Sequence, residues 1–168
     1  FFENVGVIKN LSSHANSHRT HRWTRLQVMP LPTVEQIQLA LINADYQTGP
    51  LPADVMRAVI ARPAYWAFCW GSGLALARWL LQNPGVVAGK RVADVGCGCG
   101  IGAIAAKMAG AKEVIACDND QDALLSARTN AALNNVSLAF ADDVACLDNG
   151  FDLILMADVL YDKSNYPL

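Results

Sequence analysis

A repeat in the second half of the chain constrains its fold more than any other feature. Short apolar segments there end in an acid, and each is followed by a stretch with helical character. Asp94, Asp118 and Asp142 stand 24 residues apart, and Asp143 and Asp158 complete the series. Apolar strands that alternate with helices form a parallel sheet. Because the carboxyl ends of such strands share one edge, we expect these acids to converge on a ligand crevice.

Local apolar patterns predict the individual elements of the fold. Strands are predicted at residues 90–95, 113–117, 136–141 and 151–157. Helices are predicted at residues 32–43, 54–61, 72–82, 101–109 and 121–133. Ser72 is of the residue type that caps a helix, and we expect it to cap the third of these. The predicted fold class is therefore α/β, a Rossmann-like doubly wound parallel sheet with helices on both faces.

The chain divides into two unequal parts. Residues 1–29 carry four basic residues against one acid and show no apolar period, so we expect a flexible basic segment. Its histidines, His14, His18 and His21, have helical spacing, but we interpret them as part of a solvated tail and predict no metal site. Residues 30–168 are predicted to form the folded domain.

Composition excludes several classes of function. A net charge of −2 and a pI near 5.9 argue against a nucleic-acid partner. No apolar run is long enough to cross a membrane. Five cysteines without paired spacing indicate reduced thiols, so we expect a cytoplasmic protein, or a mitochondrial one if the source is eukaryotic.

The first strand–helix turn, residues 94–102 (DVGCGCGIG), is the strongest local motif. Glycine at alternate positions permits a sharp turn and lets a ligand lie against bare amide groups. The segment overlaps the dinucleotide-binding pattern, but the Asp94 carboxylate would repel a pyrophosphate, which disfavours NAD. A carboxylate here suits a cationic amino group. Cys97 and Cys99 lie inside the turn, and we attribute them to their small size rather than to redox chemistry.

The remaining acids suggest the other parts of the ligand. Asp118 suits a ribose diol, and either Asp142 or Asp143 suits an exocyclic adenine amine. A cationic amine, a ribose and an adenine together describe S-adenosylmethionine (SAM) better than NAD. The sulfonium of SAM adds a second positive charge, which an acidic rim favours.

The fourth strand is followed by an acid and a phenol. Asp158 and Tyr161 are predicted to stand beside the reactive methyl group. Methyltransferases that act on planar amino groups typically carry Asn/Asp-Pro-Pro-Tyr at this point. Both prolines are absent here, which disfavours a nucleobase as the acceptor.

Residues 30–168 resemble the class I, seven-strand SAM-dependent methyltransferases. They most resemble the branch that contains the electron-transfer-flavoprotein β-subunit lysine methyltransferases, whose bacterial members are often described as predicted nicotinamide N-methylases. The resemblance rests on residues 65–81, 94–108 and 158–162. It implies that Trp70 packs near the cofactor and that Asp158 and Tyr161 line the substrate entrance.

The resemblance also implies a seven-strand sheet. The chain ends at Leu168, ten residues after Asp158, so we expect a fold truncated after the fourth strand. On this interpretation residues 30–168 hold the cofactor-binding half of the domain, and the C-terminal strands are missing.

The predicted function is methyl transfer from SAM to nitrogen, with a protein lysine as the favoured acceptor. The predicted catalytic residues are Asp158 and Tyr161. The predicted cofactor-binding residues are Trp70, Asp94, Gly96, Cys97, Gly98, Gly100, Asp118, Asn119, Asp142 and Asp143. Three alternatives stay open: an N-methyltransferase acting on a small, nicotinamide-like amine, a nicotinamide-dinucleotide enzyme, and a non-catalytic SAM-fold fragment that serves as an interaction module.

Overall fold

A parallel sheet of four strands lies at the centre of the computed structural model, which describes residues 26–42, 52–61 and 63–159. Its strands are β3 (Arg91–Val95), β4 (Glu113–Cys117), β5 (Ala139–Ala141) and β6 (Leu153–Met156). Their order across the sheet is β5-β4-β3-β6. After β5 the chain therefore crosses to the far side of β3, and the strand order reverses there. The parallel sheet with its reversal confirms the predicted α/β class.

Four helices accompany the strands in the described residues. They are α1 (Ala53–Ala61), α2 (Gly71–Gln82), α3 (Ile101–Met108) and α4 (Gln121–Leu133). Helix α3 packs on α2 and on strands β3 and β4, whereas α4 packs on β4 and on the extended segment Val34–Ile42. Short 3-10 turns occur at Tyr65–Ala67, Pro84–Val86 and Val144–Cys146. No helix in these ranges is both long enough and apolar enough to cross a membrane.

The core lies where α3 meets β3. Val92 and Ala93 of β3 are fully buried. On α3, Ala103, Ile104 and Ala105 are also fully buried. Small side chains let the helix and the strand approach closely, and this close packing supports the loop that joins them.

The helix predicted over residues 32–43 is wrong. Residues of that segment form β2 (Val34–Ile42), which pairs with β1 (Leu26–Leu31) as an antiparallel hairpin. The hairpin turns at Thr33, whose φ of 67° lies in the left-handed region. The apolar spacing from Val34 to Leu41 fits a helical face, but pairing with the preceding strand overrides that local period. Strand β1 also spans the domain boundary expected between residues 29 and 30.

Other predicted boundaries hold more closely. Strand 113–117 and helix 121–133 are confirmed. Strand β5 begins at Ala139 rather than at residue 136, because its pairing with β4 begins only there, where Ala139 lies opposite Ile115. Ser72 does not cap α2: Trp70 is the capping residue, and no side chain accepts a hydrogen bond there.

Candidate active site

An open cavity lies at the carboxyl end of β3, at the point where the strand order reverses. Its lining comes from three places: the aromatic segment with the first turn of α2, the end of β3 with the glycine-rich turn and the start of α3, and the two residues after β6. The lining residues are Phe68, Trp70, Ser72, Gly73, Asp94, Gly96, Cys97, Gly98, Cys99, Ile101, Gly102, Ala157 and Asp158. A crevice at such a reversal is the usual ligand site of an open α/β sheet.

The glycine loop, residues 96–100, has a backbone that glycine alone adopts readily. Gly96, Gly98 and Gly100 have φ angles of 68°, 52° and 81°. A Cβ atom at Gly98 would meet no atom within 4 Å, so conformation rather than crowding requires glycine there. At Gly100 a Cβ atom would lie 2.9 Å from the Cβ atom of Ala127, so α4 also closes in on the loop.

Asp94 lies within β3, as the predicted strand 90–95 implies, and its side chain is buried. The carboxylate Oδ2 accepts a hydrogen bond of 2.8 Å from the backbone N–H of Ala103 in α3. A Cβ atom at Gly102 would lie 2.8 Å from the same oxygen, so only glycine leaves room for this carboxylate. Burial raises the pKa of Asp94 to about 7, and the nearby charge of Asp118 adds to this rise.

A buried carboxylate that lines a cavity suits a positively charged ligand group. Such a group would favour the ionised form of Asp94, which burial disfavours. The adjacent loop adds glycines without side chains, so a ligand can approach the backbone. The residues present therefore fit the amino-acid end of SAM.

Asp118 follows β4 and braces the glycine loop from behind. Its Oδ2 accepts a hydrogen bond of 2.9 Å from the N–H of Gly98, and its Oδ1 accepts one of 3.0 Å from the N–H of Asp120. Burial raises the pKa of Asp118. Asn119 is exposed beside it, and neither side chain lines the cavity.

The acids after β5 stand away from the cavity. Asp142 and Asp143 are both exposed. Asp142 accepts a 3.4 Å hydrogen bond from the side chain of Gln121, and Asp143 accepts one of 2.8 Å from the N–H of Ala145. The predicted convergence of acids is therefore only partial, because Asp94 and Asp158 alone among them line the cavity.

Asp158 lies directly opposite the first turn of α2. The hydroxyl of Ser72 donates a short hydrogen bond to its carboxylate. Asp158 has a φ of 55°, an uncommon conformation for a residue other than glycine. A Cβ atom at Gly96 would lie 2.6 Å from Cγ2 of Val159, so the loop and the segment after β6 touch. Tyr161, the second predicted catalytic residue, lies outside the described residues.

An aromatic group forms one rim of the cavity. Trp70 is 48% exposed, and its indole N–H donates a hydrogen bond of 2.9 Å to the carbonyl of Tyr65. Its ring centroid lies 5.8 Å from that of Phe68 and 6.1 Å from that of Tyr65. These contacts hold the indole at the mouth of the site.

The loop cysteines are packed rather than reactive. Cys97 and Cys99 are buried. Burial raises the pKa of Cys97, whereas a hydrogen bond with Cys69 and then burial raise that of Cys99. Thiols with raised pKa values are poor nucleophiles at neutral pH. Among residues 26–42, 52–61 and 63–159, no cluster of three or more His, Cys, Asp or Glu side chains could hold a metal ion.

Sequence reasoning missed part of this site. The residue type of Ser72 predicts a helix cap, but its contact with Asp158 depends on α2 lying against the end of β6, which no local pattern reveals. Phe68 lies in the aromatic run that the sequence singles out, so its place at the cavity could have been predicted from Trp70 two residues later.

The fold and the site together define the cofactor end of a SAM-dependent methyltransferase. Comparison with protein families agrees with this class. The family described as "Ribosomal protein L11 methyltransferase (PrmA)" matches residues 77–162, just over half of the chain, and the chain belongs to this family. The membership confirms both the predicted resemblance and SAM as the cofactor of the class.

Individual relatives share parts of the chain. The zebrafish (Danio rerio) electron transfer flavoprotein beta subunit lysine methyltransferase is 47% identical over 103 residues, which are 60% of this chain and 40% of that protein. A Burkholderia lata ribosomal protein L11 methyltransferase is 30% identical over 154 residues, 90% of this chain and 50% of that protein. The chain thus spans half or less of the length of these two relatives.

A solved structure also resembles this chain in sequence. The ribosomal protein L11 methylase of Lactobacillus delbrueckii subsp. bulgaricus is 38% identical, with a TM-score of 0.47. The match covers 53% of this chain and 47% of that one.

Proposed function

We propose that the protein transfers a methyl group from SAM to the side-chain nitrogen of a lysine in another protein. The observation that carries the proposal is the pair of carboxylates, Asp94 and Asp158, that line one cavity with the glycine loop between them. The relatives support the lysine acceptor, because the name of the zebrafish protein specifies lysine methylation of a flavoprotein subunit.

Different residues are proposed to contact the amino-acid, ribose and adenine parts of SAM. Asp94 pairs with the amino group, and the backbone of Gly96, Cys97 and Gly98, which line the cavity, lies along the ligand. Gly100, the fourth predicted loop residue, does not line the cavity and shapes the end of the loop. Asp118 and Asn119 serve the ribose, Asp142 or Asp143 serves the adenine amine, and Trp70 packs near the cofactor. Asp118 also braces the loop, since it accepts a hydrogen bond from the N–H of Gly98.

When bound, SAM supplies a methyl group on a positively charged sulfur. A lysine amine attacks only after it has lost its proton, which costs about 4.6 kcal/mol from a reference pKa near 10.4 to pH 7. A neighbouring positive charge lowers that pKa and reduces the cost. The task left to the chain is mainly to bring the amine close to the methyl group and align it.

Asp158 is the residue proposed to align the amine. Its carboxylate is exposed at the cavity and is held by Ser72, so its direction is fixed before substrate arrives. An oriented carboxylate can accept a hydrogen bond from the amine, while the proton leaves through water. Tyr161 is proposed to contact the same amine or shape its channel.

Substitution of the two acids separates these roles. In the whole protein, Asp158→Ala should lower kcat by about 100-fold, while the Kd for S-adenosylhomocysteine changes by less than about threefold. Asp118→Ala should instead raise that Kd first, because it releases the Gly98 amide. Calorimetric titration and transfer of labelled methyl measure the two quantities. Equal losses of affinity and turnover in Asp158→Ala would contradict its role.

The acceptor is tested with two purified proteins and one small amine. Electron transfer flavoprotein beta subunit, ribosomal protein L11 and nicotinamide are each incubated with labelled SAM and the whole protein. Label on lysine of either protein supports the proposal, whereas label on nicotinamide alone favours a small-molecule enzyme. Binding of S-adenosylhomocysteine without transfer to any acceptor favours a non-catalytic module, and binding of NAD alone would overturn the cofactor.

A further inference from the structure

Asn130 in α4 and Asn134, the residue that caps the C-terminal end of α4, both bind the backbone of β2. Asn134 accepts a hydrogen bond of 2.9 Å from the N–H of Gln38 and donates one of 2.6 Å to its carbonyl. Asn130, one helical turn earlier, accepts a hydrogen bond of 2.8 Å from the N–H of Ala40. Side-chain amides thus take the place of a neighbouring strand along this stretch of β2.

Asn130 makes one contact that Asn134 lacks. Its Nδ2 donates a hydrogen bond of 2.8 Å to the carbonyl of Cys99, inside the glycine loop. The side chain is completely buried, so no water competes for this bond. Asn130 therefore joins the hairpin to the loop that lines the candidate cofactor cavity.

The peptide group that Asn130 holds joins Cys99 to Gly100, the residue that precedes α3. Its carbonyl belongs to Cys99 and its N–H to Gly100, which donates a hydrogen bond of 2.7 Å to the carbonyl of Cys97. Gly100 has a φ of 81°. Because glycine has more backbone conformations available than other residues, the Cys99–Gly100 peptide could take other orientations without these hydrogen bonds. With both sides bonded, the peptide has one orientation, and the loop amides before it keep their directions.

We infer that Asn130 is a positioning residue for the cofactor: by holding the Cys99–Gly100 peptide, it presets the glycine loop in the shape that binds SAM. This inference rests on the proposed function, because it takes the loop to be the cofactor site. Asn130 does not line the cavity, so it acts through the loop and not by touching the ligand.

Asn134 provides a matched control. Asn130→Asp keeps an acceptor for the N–H of Ala40 but has no donor for the carbonyl of Cys99. Asn134→Asp keeps an acceptor for the N–H of Gln38 but has no donor for the carbonyls of Gln38 and Asn130. Both changes are isosteric, lie one helical turn apart and face one strand, but only the first affects the loop.

The test measures binding of S-adenosylhomocysteine by calorimetry and thermal unfolding, using the whole protein and both variants. At a temperature where all three are folded, Asn130→Asp should raise the Kd about tenfold, and Asn134→Asp by less than about twofold. In steady-state assays the KM for SAM should rise in Asn130→Asp while kcat at saturating SAM changes little. A purely structural role would lower the melting temperature without this difference in Kd.

Several outcomes would overturn the inference. Unchanged affinity in Asn130→Asp, or equal weakening in both variants, would leave Asn130 with no special role. If Asn130→Asp does not fold, Asn130→Ser replaces it, since the shorter side chain removes the loop contact without a buried charge. Failure of both to fold beside a folded Asn134→Asp would make the role structural. If the unchanged protein does not bind S-adenosylhomocysteine, the proposed function itself fails, a result distinct from all of these.

Discussion

Asp94 shows what a sequence pattern predicts about a side chain and what it leaves out. The sequence places it in the strand 90–95, before the glycine loop, and the structure confirms that position but adds that only 3% of its surface is exposed. Its hydrogen bond to the N–H of Ala103 requires the start of α3 to lie against the strand. That geometry depends on packing, which a one-dimensional pattern does not contain.

The raised pKa of Asp94 predicts how stability depends on pH without cofactor. Its pKa is 3.8 in the reference state and about 7 in the folded state, so the folded protein binds more protons between these values. The contribution of Asp94 to the free energy of unfolding therefore falls as pH rises from about 4 to about 7, and is constant above that. The side-chain amide of the Asp94→Asn variant cannot ionise, and we expect this part of the slope to disappear. Urea unfolding at pH 5 and at pH 7.5 measures it.

Comparison of the two proteins at each pH isolates the effect of this group from the other titrations. The stability of Asp94→Asn relative to the unchanged protein should be greater at pH 7.5 than at pH 5. An equal difference at both pH values would show that Asp94 is ionised in the folded state over the whole range.

At the scale of elements, the junction between the glycine loop and α3 is the most constrained. Gly100 has a φ of 81°, and a Cβ atom there would lie 2.9 Å from that of Ala127. We expect Gly100→Ala to lower the free energy of unfolding by about 1–3 kcal/mol, because both backbone strain and crowding oppose it. Urea unfolding monitored by circular dichroism gives the value.

Gly71, the first residue of α2, is the control for that change. A Cβ atom at Gly71 would meet nothing within 4 Å, and its position is helical. Gly71→Ala should leave stability unchanged or raise it by up to about 1 kcal/mol. Equal changes in the free energy of unfolding for the two variants would show that the loop geometry does not require glycine at Gly100.

The elements also show where sequence patterns succeed and fail. The predictions for β4 and α4 are confirmed, since each is a continuous apolar or helical segment bounded by clear polar signals. The hairpin of β1 and β2 escapes prediction, because β2 depends on pairing with β1 and on the hydrogen bond from its Ala40 N–H to Asn130, in a helix 90 residues later. Long-range hydrogen bonds of this kind leave no local period.

At the scale of the whole molecule, the two ends of β3 have different tasks. Its carboxyl end lines the cavity, whereas Arg91 at its amino end forms ion pairs with nearby carboxylates. Arg91 lies 2.7 Å from the carboxylate of Glu113 and 3.2 Å from that of Asp148, and it donates a hydrogen bond of 2.9 Å to the carbonyl of Gly150. These contacts tie β3, β4 and the segment before β6 together.

Because the charged cluster is remote from the cavity, stability and binding should separate there. Arg91→Met should lower the melting temperature by about 2–4 °C, since several contacts are lost together. The Kd for S-adenosylhomocysteine should stay within about twofold of the unchanged protein. Differential scanning calorimetry and isothermal titration measure the two effects. A parallel fall in affinity would mean that this end of the sheet also shapes the cavity.

The strand order β5-β4-β3-β6 has a consequence for how the protein is made. Strands β3, β4 and β5 pair in the order in which the ribosome produces them. Strand β6 comes last, and the chain must cross back over β4 and β3 before β6 can pair with the free edge of β3. Ala157 and Asp158, which follow β6, supply one wall of the cavity. The glycine loop can therefore assemble on a nascent chain before its opposite wall exists, and a competent binding site arises only when this late pairing is complete.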